Sequence, residues 1–133
     1  MSITDAVFLE RFEDLTLAPE YFNHRGHLRL AWLYLRMYSL ETAIDKVKNG
    51  ISAYASSLGA TEKFQHTLTE AIVRIMAVRL NEGSYHSFED YLENNSDLVD
   101  DLWNVVTEYY SVERLTSDTA RGVFLEPDIK PFL

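Results

Sequence analysis

The chain has no cysteine, which removes disulfides, thiolate metal sites and thiol nucleophiles together and suits a reducing compartment such as the cytoplasm. Its five glycines are widely scattered and cannot build a phosphate cradle, and the P-loop, dinucleotide-binding, zinc-protease, nucleophile-elbow and calcium-loop patterns are all missing. With only three prolines and no low-complexity tract, extensive disorder is not expected. Long hydrophobic runs are missing too. Arg29, Arg36, Arg74 and Arg79 interrupt the most apolar stretches, so no membrane span is predicted. The start, Met1-Ser2-Ile3-Thr4-Asp5, lacks the basic and apolar regions of a signal peptide, and a cytoplasmic location is expected. Basic residues are missing from one long segment. Between 80 and 113, nine acids from Glu82 to Glu113 face no Lys or Arg, and this segment accounts for the whole net charge of −9. That sign is wrong for a duplex-binding surface, where neutralising phosphate dominates affinity. The acidic stretch reads first as a solvated helical face, and alternatively as a docking surface for a basic partner.

What is present is a helical pattern over nearly all of 133 residues, of which 47% are hydrophobic and 25% charged. Thr4 fits an N-cap for a helix carrying Val7, Phe8, Phe12 and Leu15, closed by the stretch from Thr16 to Pro19. A second helix over about 24–38 is apolar nearly all round, which predicts a central position. Ser39 caps a third, from Leu40 to about Leu58, with Gly59 as a left-handed stop and Gly50 as a point of close approach. A fourth, over about 61–81, is again apolar on most sides, carries Glu70 and Arg74 as an i,i+4 pair, and ends at Gly83. Ser87, Ser96, Ser111 and Ser117 mark the starts of shorter C-terminal helices, that at Ser96 running from Asp97 to about Tyr110. Strand-like alternation is missing. The expectation is an all-α, compact, single-domain bundle over 1–133, with two central apolar helices and several shorter ones after them. Most of the 13% of residues that are aromatic fall at core spacing.

Two polar groups sit where the apolar helices begin. His24 and His27, three apart, share one helical face, and Gln65, His66, Thr67 and Thr69 occupy the first two turns of the fourth helix. Packed together, they would make a polar ligand-binding pocket between the central helices, and free N–H groups at helix starts suit an anion. A histidine pair at a helix start also serves as a capping and hydrogen-bonding device. A divalent metal would need three or four ligands, with His24, His27 and His66 as candidates and Glu70, Glu10 or Glu13 as further donors. His86, next to Ser87, reads as an exposed loop residue.

Three segments together resemble the signature of a family of uncharacterised, small, all-helical bacterial proteins. They are Phe22-Asn23-His24-Arg25-Gly26-His27-Leu28, Lys63-Phe64-Gln65-His66-Thr67-Leu68-Thr69, and the run from Tyr110-Ser111 through Glu113-Arg114-Leu115, Ser117 and Ala120-Arg121 to Glu126-Pro127-Asp128. The resemblance covers most of the chain in the same order. It implies one helical domain and gives weight to these segments, including Glu113 and Arg121, without implying an activity. Where the family pattern has His followed by Glu, this chain has Gln65 followed by His66. Neighbouring helical positions point about 100° apart, so His66 does not replace the missing histidine. Gln is a poor metal ligand and a good hydrogen bonder, which favours a polar pocket or network over a metal.

The sequence therefore supports a ligand-binding helical domain first. The alternatives are an interaction module or homo-oligomer using an apolar helix face or the acidic 80–113 surface, and a metal-assisted enzyme with His24 or His27 as ligand or base. No cofactor is specified. Nucleic acid and membrane are not expected partners; a small molecule, a protein or a second copy are.

Overall fold

The structure is a computed structural model, and it describes residues 3–60 and 64–133. The fold is all-α, with nine α-helices and no strand among the described residues. No described helix is long and apolar enough to cross a membrane. The sequence reads as one domain over 1–133, and the internal contacts gather into two compact units, Met1–Phe64 and Gln65–Leu133.

The first unit contains α1 (Asp5–Glu13), a 3-10 turn (Pro19–Tyr21), α2 (His24–Met37) and α3 (Leu40–Ser57). Each helix opens on a side-chain oxygen that takes an otherwise unpaired N–H. Thr4 accepts from Val7, Asn23 from Gly26 and Ser39 from Thr42. α1 and α2 both pack on α3. The core is aromatic: Phe12 lies 5.0 Å from Phe22 and 5.6 Å from Tyr54 between ring centroids, and Phe22 meets Tyr54 edge-on. The Tyr54 hydroxyl is satisfied by donating to the Leu17 carbonyl at 2.6 Å. Gly50 is where Phe12 lies against α3, since a Cβ there would stand 2.6 Å from the ring. Arg29 ties α2 to the start of α1 through an ion pair with Asp5 at 2.7 Å, a bond to the Ile3 carbonyl and a place over the Phe8 ring.

α1 and α3 end alike, in Schellman turns. After α3, Ala60 N–H returns to Ala55 and Gly59 N–H to Ser56, with Gly59 at φ +73°, as the sequence predicts. After α1, Thr16 N–H returns to Arg11 and Leu15 N–H to Phe12, but the left-handed position is held by Leu15 at φ +63°. A side chain there costs about 1 kcal/mol relative to glycine.

The second unit contains α4 (His66–Glu82), α5 (Phe88–Glu93), α6 (Asp97–Asp100), α7 (Leu102–Thr107), α8 (Val112–Leu115) and α9 (Asp118–Gly122). Ser87, Ser111 and Ser117 cap α5, α8 and α9 through their side chains. α4 packs against α7 and α9, burying Ala71, Val73, Ile75 and Met76. Two boundaries differ from the sequence reading. The predicted start at Thr61 lies outside the described residues, and the helix itself opens at His66, because Gln65 is extended and its side chain accepts from Leu68 N–H at 2.6 Å. The expected helix from Asp97 to Tyr110 is broken at Asp101, whose φ of −149° leaves the helical region while its carboxylate takes a bond from Asn104. Short acidic side chains bond readily to nearby polar groups in such non-helical conformations.

The acidic stretch is partly neutralised from outside. Arg79 on α4 grips Asp97 with two bonds of 2.6 and 2.9 Å, and Lys130 stands 3.8 Å from Glu108. The Arg79 guanidinium holds the Asp97 carboxyl below its usual range.

Residues 123–132 run without regular structure and are secured largely by side chains, together with a main-chain bond from Ile129 N–H to the Tyr109 carbonyl at 2.9 Å. The Thr67 hydroxyl donates to the Val123 carbonyl at 2.8 Å and accepts from Leu125 N–H at 3.0 Å. Tyr110 donates to the Leu125 carbonyl, Arg114 to the Glu126 carbonyl, and Asp128 accepts from Ser111 N–H. The Phe132 ring closes on Tyr109 at 5.2 Å.

Candidate functional site

His24 and His27 share the first turn of α2, which Asn23 organises. Its side chain accepts from Gly26 N–H at 2.9 Å, and its carbonyl accepts from His27 Nδ1 at 2.8 Å. A carbonyl only accepts, so neutral His27 carries its proton on Nδ1 and a lone pair on Nε2. The ring stacks on Phe22 at 4.1 Å and is half-buried, while His24 is exposed.

Burial, opposed by the Asn23 bond and aided by the nearby His24 charge, lowers the His27 pKa from its ordinary 6.5. The unfolded chain therefore takes the proton more readily than the folded one. The stabilisation is complete above pH 6.5 and is lost as pH falls from there toward the depressed folded value. Urea unfolding at about pH 7.5 and about pH 5.5 should show a loss at the lower pH that His27→Gln reduces.

Gln65, His66, Thr67 and Thr69 stand together at the start of α4, and they belong to the second unit whereas His24 and His27 belong to the first. Gln65 uses both ends of its amide, accepting from Leu68 and donating to the Leu115 carbonyl at 2.7 Å. Thr67 is fully buried and engaged with the C-terminal segment. Thr69 closes the turn by donating its backbone N–H to the Gln65 carbonyl. Glu70, also buried, pairs with Arg74 at 2.9 Å. In the third segment of the resemblance, Ser111 and Ser117 are caps and Arg114 anchors the tail, while Glu113 and Arg121 lie exposed on α8 and α9. His86 is exposed. Among the described residues, no group of three or more His, Asp or Glu is placed to hold a metal ion.

A concave site lies within the first unit, where α1, α2 and α3 leave a cleft of about 380 Å³. Phe12, Tyr34, Gly50 and Ala53 supply its apolar wall, Glu13, Lys46 and Asn49 its polar groups, and Leu15 stands at its rim. The Tyr34 hydroxyl donates to Glu13 Oε2 at 2.7 Å. Burial, and then this bond to a carboxylate, push the Tyr34 pKa up, so the phenol stays a neutral donor. The Lys46 ammonium rests over the rings of Tyr38, 4.9 Å from the centroid, and Tyr34, at 5.9 Å. Neither Glu13 nor Lys46 forms an ion pair with any described residue.

The sequence reading passed over this cleft, although one signal was available. Lys46, Asn49, Gly50 and Ala53 follow the spacing i, i+3, i+4, i+7, a second face of α3 beside the buried one through Ala43, Val47 and Tyr54. Gly50 on this face receives the Phe12 ring, and Ala53 is exposed beside it.

No family model, no curated protein and no solved structure matches the chain.

Proposed function

We propose that the protein is a helical small-molecule-binding domain whose site is the cleft of α1, α2 and α3. The observation that carries this reading is Leu15, a bulky residue in the left-handed conformation at the rim of that cleft. Glycine would close the same turn without strain, and side chains in such conformations gather at ligand clamps and active sites. The polar residues at the helix starts support a division of labour. His27, Gln65 and Thr67 have partners within their own units and act as framework. A cytoplasmic location accords with the cysteine-free composition.

The test is a titration of the ¹⁵N-labelled protein with a library of neutral, acidic, basic and zwitterionic fragments. Binding should move the amide signals of Asn49, Gly50 and Ala53. Ala53→Trp, made at an exposed position on the rim, fills the cleft; it should abolish those shifts and change stability by no more than about 0.5 kcal/mol. Shifts clustered elsewhere, or unaffected by Ala53→Trp, would sink the proposal.

A further inference from the structure

We infer that the cleft takes a small zwitterion, a molecule of amino-acid size whose ammonium meets Glu13 and whose carboxylate meets Lys46. This rests on the reading of the cleft as a ligand site and adds the chemical class. Glu13 and Lys46 line the same recess with opposite charges, yet neither has an ion-pair partner among the described residues. Each is instead positioned by an aromatic side chain. The Tyr34 hydroxyl engages Glu13 Oε2 at 2.7 Å, and the faces of Tyr38 and Tyr34 support the Lys46 ammonium. A hydrogen bond from a neutral phenol orients the carboxylate without cancelling its charge, and a ring face attracts the ammonium without neutralising it. Both charges therefore remain open to a ligand.

A ligand with one charge would meet only one of the two protein charges. A ligand carrying both signs answers the two at once. Asn49 adds amide donors and a carbonyl beside Lys46 on α3, suited to a carboxylate or an adjoining polar group. Leu15 and Ala53 offer apolar surface to a short hydrocarbon side chain. The volume of 380 Å³ stands at the small end of the roughly 300–1,000 Å³ typical of ligand sites. A single amino acid fits that scale better than a nucleotide cofactor.

The experiment compares three probes with one skeleton: L-phenylalanine, 2-phenylethylamine and 3-phenylpropionate, each titrated while the Asn49, Gly50 and Ala53 amides are followed. L-Phenylalanine should bind at least about tenfold more tightly than either singly charged probe. Glu13→Gln keeps an acceptor for Tyr34 and should erase the preference over 3-phenylpropionate. Lys46→Met should erase the preference over 2-phenylethylamine. Equal affinity for all three probes overturns the zwitterion and leaves the cleft reading standing, as does failure of all three while other fragments still move these amides. A preference that survives both substitutions also overturns it. If no fragment of any class moves these signals, both the class and the cleft reading fall.

Discussion

Gly26→Ala should destabilise the protein by about 3 kcal/mol, although alanine is the better helix former by about 1 kcal/mol. Gly26 is the third residue of α2, and its N–H is the one taken by the Asn23 cap. A Cβ added there would stand 2.3 Å from the Tyr21 carbonyl oxygen and 3.1 Å from its carbon. These are backbone atoms of the 3-10 turn, so they cannot swing aside like the end of a side chain. Relief requires the turn and α2 to separate, which threatens the Asn23 cap and the stacking of Phe22 on His27. Gly122 provides the control. It is also helical, nothing lies within 4 Å of its would-be Cβ, and its change to Ala should be close to neutral. Urea unfolding of the two variants measures the contrast directly. Equal stabilities would mean that the turn before α2 yields freely. The clash also gives a physical reason for glycine in the segment Asn23-His24-Arg25-Gly26-His27.

Thr67→Val should cost about 3 kcal/mol while preserving the shape of the side chain. The hydroxyl makes two bonds, to the Val123 carbonyl and from Leu125 N–H, from a site with no exposure to solvent. Valine removes both and takes from the Val123 carbonyl and the Leu125 N–H, where they meet the fully buried Thr67 side chain, the partner each has there. Thr67→Ser retains the hydroxyl and loses one methyl, so it should recover most of the difference, with about 1 kcal/mol remaining. Hydrogen exchange distinguishes a local from a global effect. The Leu125 amide should lose protection in Thr67→Val and keep it in Thr67→Ser. If Thr67→Val leaves both stability and the Leu125 amide unchanged, the tail has another anchor.

The features that were legible in the sequence are those written within a few residues. Thr4, Ser39, Ser87, Ser111 and Ser117 announce helix starts because the N–H they satisfy is three residues away. Gly59 announces a stop because its conformation is its own. The all-α fold follows from apolar spacing that never settles into alternation. What stayed hidden depends on distant partners or on local rules overridden. Thr67 was visible as a polar residue at a helix start, but its partners lie 56 and 58 positions away. Gln65 hid the beginning of α4 because glutamine is an uncommon cap, and Asp101 hid a break because the apolar pattern runs straight through it. The Glu13–Tyr34 bond joins residues 21 positions apart, so the spacing along α3 showed one wall of the cleft and not the side facing it. Leu15 concealed a left-handed turn behind a residue that ordinarily avoids one.

That rim has a kinetic consequence. Leu15 is fixed by return bonds from its own N–H to Phe12 and from the N–H groups of Thr16 and Leu17 to the single carbonyl of Arg11. If the cleft takes a ligand as proposed, that molecule meets a rim already held by these main-chain bonds. Entry would then be limited by encounter and orientation, and differences in affinity between ligands would lie mostly in departure. Weak occupants should leave quickly, so their signals should move progressively with concentration, without the doubling produced by slow exchange.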